Sequence, residues 1–231
     1  MFRRVILFST CFALTACTLP SVPKPEGNSS SSSTGTGDVM TESGTIVLEE
    51  GVSSVEAVEK IVHSERLLAN GILEIGKVGS GLTLRIFAEH HAAYSKDFAE
   101  EQLPRLLSEF VANDQLKIQI VILPLQKYAG SVESAKALYC AAKQEKGLAM
   151  HELLFTKPDA LKENAETLKL DVPAFETCLR SDEVTAKVQM QKDLATQSET
   201  TLIPTFFLDD QKFVGLPYYA DLQGRIEAAL R

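Results

Sequence analysis

The fold is decided by residues 84–98, which read LRIFAEHHAAYSKDF. The apolar residues Leu84, Ile86 and Phe87 predict a buried strand, and the polar residues after them predict a turn. Beyond the turn, apolar residues recur every three or four positions, which predicts an amphipathic helix; they are Tyr94, Phe98, Leu103, Leu106, Leu107 and Phe110. Pro104 lies inside this helix, where it removes a backbone donor and is expected to kink it.

A second apolar strand is predicted at residues 116–123, and a helix between two buried strands favours a right-handed crossover with parallel pairing. The pattern from 131 to 200 is helical throughout, with segments expected at 134–146, 148–155, 160–168, 172–180 and 182–196. A strand with Pro204 near its start, a turn at Asp209-Asp210 and a returning strand follow. The chain ends in a predicted helix with one apolar face; its residues are Tyr218, Leu222, Ile226 and Leu230. These elements predict an α/β fold.

The N-terminal residues 1–17 have the pattern of an export signal, with Arg3 and Arg4 before an apolar core that is too short to span a membrane. The core ends in Leu14-Thr15-Ala16-Cys17, which is similar to the bacterial lipoprotein signal and implies lipid on Cys17. An ordinary signal peptide that ends near a cysteine is the alternative. Residues 18–51 are rich in Ser, Gly and Pro, which predicts a flexible tether.

Residues 52–78 are expected to form an N-terminal helix followed by a turn. Ser53 and Glu56 have the spacing of a capping box, an apolar stripe follows, and Asn70-Gly71 is a plausible end, so the predicted helix covers 53–70. This helix packs on the domain or docks to a membrane partner. The chain of 231 residues has a net charge of −8, which argues against nucleic acid as a partner.

Residues 84–98 resemble the start of a DsbA-like thioredoxin fold, in which the first strand leads into a Cys-x-x-Cys motif at a helix N-terminus. The four matching positions are occupied by Ala92, Ala93, Tyr94 and Ser95, so both cysteines are replaced. A serine hydroxyl cannot perform thiol–disulfide exchange, and Ala92 cannot form a thiolate. The resemblance therefore implies a member of a thiol-disulfide oxidoreductase family that is redox-silent at the usual site.

Two further segments carry the resemblance, which extends over residues 79–231. Met150-His151-Glu152-Leu153-Leu154-Phe155 is similar to a segment of the family's helical insertion, which would occupy about 131–200. Ile203-Pro204-Thr205-Phe206-Phe207 is similar to the segment in which a cis proline faces the Cys-x-x-Cys turn. Together these segments imply a thioredoxin-like fold with a DsbA-type helical insertion.

Two functions remain open. Family members hold extended polypeptide beside the cis proline without needing cysteines there, which implies a binding module for polypeptide or an envelope protein. Its groove would be lined by His90, His91, Tyr94, Ile203 and Pro204. The alternative is a thiol-disulfide oxidoreductase that uses Cys140 and Cys178. No cofactor is expected.

Three other chemical interpretations are weaker. Ser95 could act as a nucleophile with His90 or His91 as its base, but only proximity in sequence supports this. A metal site at residues 89–91 is disfavoured because adjacent residues of an extended segment point to opposite faces. His151-Glu152 lacks the second histidine of a zinc-protease motif, so no metal is expected there either.

Cys140 and Cys178 are predicted to form a structural disulfide. If Cys11 leaves with the signal and Cys17 carries lipid, these two are the remaining pair, and an exported domain occupies an oxidising space. Related DsbA-like proteins have cysteines in similar contexts, which supports the pairing. Two buried free thiols are the alternative.

Overall fold

The computed structural model describes residues 63–231. The expected signal peptide with its lipid site at Cys17, the tether over 18–51 and the beginning of the N-terminal helix, residues 52–62, lie outside the described residues.

A six-stranded mixed sheet forms the centre of the described domain, in the order β1-β2-β4-β3-β5-β6. Strands β3 and β4 are parallel, as the crossover pattern predicted, and the other neighbours pair antiparallel. The strands are β1 (Glu65–Leu67), β2 (Leu73–Ile75), β3 (Leu82–Ala88), β4 (Leu116–Ile122), β5 (Thr205–Leu208) and β6 (Gln211–Val214).

One long helical segment connects β3 to β4. It contains α1 (Ala93–Asp97) and α2 (Leu103–Leu106), with π-helical turns at Phe98–Gln102 and Leu107–Val111. Pro104 does not end this segment. The N–H of Leu103 bonds to the carbonyl of Phe98, so the wider π turn lies directly before the proline that lacks a donor.

Five helices lie between β4 and β5, where the helical insertion was predicted, and a last helix follows β6. They are α3 (Ser131–Ala142), α4 (Gly147–Thr156), α5 (Leu161–Thr167), α6 (Val172–Leu179), α7 (Asp182–Gln197) and α8 (Tyr219–Ala229). In α8 only the central residues of the expected apolar face, Leu222 and Ile226, are buried. Tyr218 and Leu230, expected on that face, are exposed.

The main core lies between one face of the sheet, the β3–β4 helical segment and α8, and it continues into the insertion. Leu84, Ile86 and Phe98 belong to it, with Phe206 packed edge-on against Phe98. A smaller cluster on the opposite sheet face joins Phe87 and Val121 to Ala195 of α7. The end of β3 is therefore covered on both faces, which fixes the segment that follows it.

The expectation of a helix through residue 70 is wrong for the part that is described. Residues 65–67 pair with β2, and β2 in turn pairs with β4. The carboxylate of Glu65 accepts hydrogen bonds from the N–H groups of Gly147 and Leu148 at the start of α4. Those contacts and the ladder outweigh the helical pattern of this short segment, because tertiary pairing routinely overrides local propensity.

Candidate functional site

The turn after β3 occupies the position of the family motif, and it presents no reactive side chain. Ala92 precedes the first turn of α1 and provides no side-chain cap. Ser95 is 1% exposed, and its hydroxyl accepts a hydrogen bond from the N–H of Glu89 at 3.3 Å. Ser95 thus faces the interior and stabilises the turn, an arrangement that gives no support to a nucleophilic role.

Glu89 is the centre of a polar network that joins this turn to the insertion. Its fully buried carboxylate accepts three hydrogen bonds of 2.7 Å. The donors are the backbone N–H of His91, Nδ1 of His91 and the hydroxyl of Ser131. Ser131 is the first residue of α3 and also accepts the N–H of Leu125. A buried carboxylate needs such donors, since an unpaired one would carry a large desolvation cost.

His91 is held on both sides. Its Nε2 lies 3.4 Å from Asp159 Oδ1, and its ring stacks on Tyr128 at an interplanar angle of 17°. Burial lowers the pKa of His91, but the hydrogen bonds and charges of Glu89 and Asp159 outweigh burial, and the pKa is raised above its ordinary value. The Glu89–His91 pair therefore favours an imidazolium.

His90 has different partners from His91, and both lie in a turn rather than in the extended segment that was expected. It is 2% exposed, and its Nε2 lies 3.1 Å from Nδ1 of the equally buried His151 in α4. Its Nδ1 lies 3.3 Å from the hydroxyl of Ser134 in α3. Both imidazoles also make edge contacts with Phe155. His90 is therefore a packing residue between the turn and the insertion.

A cavity of about 360 Å³ opens between the turn and the insertion. Ala92, Ala93 and Lys96 form the turn side, and Phe155 and Pro158 form the insertion side, with His90 and His91 completing the wall. The two alanines occupy the first two of the four motif positions. This cavity is thus the space next to the position that carries the family's first cysteine.

The Ile203–Pro204 bond is cis, as the family pattern implied. The β3–β5 ladder ends with Phe87 opposite Thr205, so its register places Pro204 beside the last residue of β3. The N–H of Gly215 bonds to the carbonyl of Pro204, whereas the backbone of Ile203 has no hydrogen-bond partner among residues 63–231. The side chain of Ile203 packs on the small cluster around Phe87.

Four exposed apolar side chains lie on the turn or on the segments that precede and pair with β5 or follow β6. Leu202, next to Ile203, is 64% exposed, and Val214, paired with Thr205, is 53% exposed. Tyr218 is 83% exposed and follows Pro217, whose carbonyl accepts the side-chain N–H of Gln102. Tyr94, 65% exposed, lies on the turn itself. We call Tyr94, Leu202, Val214 and Tyr218 the corner patch.

Cys140 and Cys178 form a disulfide between α3 and α6, with their Cα atoms 5.8 Å apart. A cavity of about 610 Å³ lies beside it, lined in part by Lys143, Gln144 and Thr177. Both cysteines lie near the C-terminal ends of their helices. The negative end of a helix dipole disfavours a thiolate, so this position is unlike that of an activated cysteine.

Within residues 63–231, no three His, Cys, Asp or Glu side chains are grouped so that they could hold a metal ion. Both nitrogens of His91 contact carboxylates, and those of His90 contact Ser134 and His151. The metal interpretation of residues 89–91 therefore gains no support.

Of the five residues expected to line a groove, the structure exposes only Tyr94. His90 and Pro204 are buried, and His91 and Ile203 are partly buried. Sequence reasoning missed Leu202, Val214, Ser131, Ser134 and Asp159. Leu202 could have been found as the residue two before Pro204, but the partners from the insertion have no local signal.

Comparisons with known proteins agree with this geometry. A family model described as thioredoxin matches residues 71–228. The oxidised BdbD structure from Bacillus subtilis superposes with a TM-score of 0.65 and 20% sequence identity, covering 72% of this chain and 97% of that one. The search for similar sequences among curated proteins found no match.

Two further solved structures are similar. For α-DsbA1 from Wolbachia pipientis the TM-score is 0.62 at 18% identity, with 68% of this chain and 89% of that chain covered. For DsbA from Chlamydia trachomatis the TM-score is 0.59 at 20% identity, with 67% of this chain and 89% of that chain covered. At these identities the likeness shows the fold, which is thioredoxin-like with a DsbA-type helical insertion. In the described part of the chain, no helix is both long enough and apolar enough to cross a membrane.

Proposed function

Since this chain belongs to the thioredoxin family and has the fold of DsbA-like thiol-disulfide oxidoreductases, we propose that it is a polypeptide-binding module of the bacterial cell envelope. It is held at a membrane by lipid on Cys17 and performs no thiol–disulfide exchange at the turn. Its client is an extended polypeptide or an exposed segment of another envelope protein. No nucleic acid and no cofactor take part.

The missing thiols support the redox-silent part of the proposal. The two positions of the family cysteines hold Ala92 and Ser95, and the Ser95 hydroxyl is engaged by the N–H of Glu89. The nearest cysteine along the sequence is Cys140, which is bonded to Cys178. Electron transfer at the turn would need a thiolate that the turn does not provide.

The corner patch is the observation that carries the binding function. Within it, the exposed Leu202 adjoins Ile203 and the exposed Val214 lies opposite Thr205, and the backbone of Ile203 has no hydrogen-bond partner among the described residues. An extended client that adds beside Ile203 would satisfy its N–H and C=O and cover apolar surface at the same time. An apolar, extended segment is therefore the client chemistry that fits.

The location in the envelope rests on the sequence of residues 1–51 and on the disulfide. A lipid-modified Cys17 followed by a flexible tether would keep the domain near a membrane while leaving it free to reach clients. Disulfides persist in oxidising compartments, which agrees with export. The test is Cys17→Ser, which should release the protein from the membrane fraction, whereas retention after a high-salt wash would contradict the lipid site.

The binding function is tested by titrating the protein with a carboxymethylated, permanently unfolded polypeptide. Leu202→Ser should weaken binding about tenfold, because the loss of a buried leucine contact corresponds to roughly 1.5 kcal/mol. Val78→Ser is the matched control: Val78 is 63% exposed but lies before β3, at the opposite end of that strand. Equal affinity in both variants and the wild type would contradict the proposal.

A second candidate function is a thiol-disulfide oxidoreductase that uses Cys140 and Cys178. The cavity beside the disulfide, which reaches Cys178, favours it, while the helix C-terminal position of both cysteines opposes it. Catalysed reduction of insulin by the wild type, lost in Cys178→Ser, would establish this activity. If the wild type reduces insulin no faster than Cys178→Ser, polypeptide binding remains the proposed function.

A further inference from the structure

His90 and His151 are the closest polar contact between the turn and α4. They are 61 residues apart in the sequence and share one hydrogen bond of 3.1 Å, and their rings meet edge to face. Both side chains are buried, and the ring of Phe155 packs against both. A neutral pair of imidazoles suits such a site, because an uncompensated charge would be costly there.

The hydrogen-bond network assigns the protons. The Ser134 hydroxyl donates to the carbonyl of Ser131, so its oxygen accepts from Nδ1–H of His90. Nε2 of His90 is then the acceptor for Nδ1–H of His151. This direction follows from the partners. A further proton on His90 Nε2 would set two N–H groups against each other at 3.1 Å.

Among residues 63–231, no carboxylate is hydrogen-bonded to either imidazole; Glu152, which follows His151 in α4, is exposed. On the turn, Glu89 bonds to His91, and Lys96 pairs with Glu100. On the insertion side, Asp159 also bonds to His91, and α3 contributes only the hydroxyls of Ser131 and Ser134. Burial, with His151 and His91 nearby, holds the pKa of His90 well below its ordinary value, and burial lowers the pKa of His151 to about 3.

We infer that the His90–His151 contact is an acid-sensitive clasp that joins the turn to the helical insertion and releases it when the pair is protonated. The adjacent cavity between Ala92 and Phe155 then widens, because the clasp forms part of its wall. This inference is independent of client binding, since it concerns only the contact between the turn and the insertion.

Proton linkage decides whether acid strengthens or weakens the contact between His90 and His151. Both histidines bind protons more weakly in the folded chain than in the unfolded chain, where their pKa is about 6.5. Their contact therefore contributes fully above about pH 6.5 and is lost as the pH falls toward the folded pKa values. At pH 5 each unfolded histidine is about 97% protonated, so unfolding takes up almost two extra protons from this pair.

The test combines urea unfolding of the full chain between pH 7.5 and 5 with hydrogen exchange. His90→Phe keeps a ring against Phe155 and removes one titrating group, so proton uptake on unfolding at pH 5 should fall by about one relative to the wild type. His151→Phe should do the same, which covers the case in which one variant fails to fold. His63→Gln, which changes a histidine outside the cluster, is the control and should show a smaller change.

Hydrogen exchange distinguishes a local clasp from general acid instability. In the wild type, after correction for intrinsic rates, amides of residues 89–96 should be less protected at pH 5 than at pH 7.5, because opening of the turn takes up protons, while those of β4 should change little. In His90→Phe, which keeps only His151 as a titrating member of the pair, this loss of protection should be smaller. Unchanged proton uptake in both phenylalanine variants, or equal protection of the wild-type turn at pH 7.5 and pH 5, would overturn the inference.

Discussion

The carboxylate of Glu89 accepts both donors that His91 directs toward it, the backbone N–H at Oε2 and Nδ1 at Oε1, each at 2.7 Å. This relationship fixes the backbone of the turn and the orientation of the ring together. Because Ser131 of α3 donates to the same carboxylate, the turn is also tied to the insertion. Glu89 is thus the residue on which the shape of the site depends.

Replacing Glu89 with Gln should lower the pKa of His91 and destabilise the fold by about 1.5–3 kcal/mol, the usual cost of losing hydrogen bonds to a charged group. The raised pKa of His91 in the wild type stabilises the folded state below about pH 6.5, and this contribution disappears as the pH rises through the folded pKa. NMR titration of the His91 ring and urea unfolding measure the two effects.

The control for this variant is Asp159→Asn. The side chain of Asp159 is 75% exposed, and its distance of 3.4 Å from His91 Nε2 is long for a hydrogen bond. Its loss should therefore lower the free energy of unfolding by less than about 1 kcal/mol. A larger effect from Asp159→Asn than from Glu89→Gln would show that the buried carboxylate does not organise the turn.

Gly130 is predicted to resist substitution. Its φ is +77°, and a Cβ there would lie 2.3 Å from Asp159 Oδ1. Gly130→Ala should therefore destabilise the fold by about 1–2 kcal/mol and displace Asp159 from His91. Gly224→Ala, in α8 with open space around it, should instead stabilise by up to about 1 kcal/mol. Thermal unfolding of both variants checks the opposite signs.

Reduction of the Cys140–Cys178 disulfide should lower the free energy of unfolding by about 4 kcal/mol, because the bond closes a loop with a sequence separation of 38. The measurement is urea unfolding with and without a strong reductant. The double variant Cys140→Ala/Cys178→Ala should show the reduced stability and no further response to reductant. Two freely alkylated thiols in the unreduced exported protein would contradict the bond.

Restoring the family cysteines tests whether the scaffold is intact. Ala92→Cys/Ser95→Cys should acquire thiol–disulfide exchange, because Ala92 immediately precedes a helix whose dipole favours a thiolate. The control Ala93→Cys/Lys96→Cys has the same spacing but shifts both thiols by one residue, and it should be much less active. Insulin reduction with glutathione measures both; equal inactivity would mean that the turn differs from an active one by more than its cysteines.

The sequence predicted the long buried elements well, because β3, β4 and the helices of the insertion have strong local periodicity. It also placed the cis proline through the family resemblance, and it paired Cys140 with Cys178 as the two cysteines left after Cys11 and Cys17, with the resemblance as support. It missed the β1–β2 hairpin, since Glu65 and its neighbours are fixed by distant partners in β2 and α4. The spacing of apolar residues along the chain carries no information about contacts between distant segments.

The site was predicted less well than the fold. The histidines of the turn were expected to line a groove. Instead, His90 is hydrogen-bonded to His151, and His91 is hydrogen-bonded to Glu89. These pairings depend on how the insertion folds back over the turn, which has no signature in either segment alone. The corner patch was missed for the same reason, because the segments that carry Leu202 and Val214 are joined only by the pairing of Thr205 with Val214 in the folded chain.

The central claim, that extended polypeptide binds beside Ile203, is tested most directly by a hydrogen-exchange footprint. The protein is measured with and without the carboxymethylated polypeptide at saturating concentration. The account predicts new protection of the Ile203 amide and of the residues flanking it, with the disulfide region of α3 and α6 unchanged. Protection confined to α3 and α6, or binding with no protection at Ile203, would contradict it.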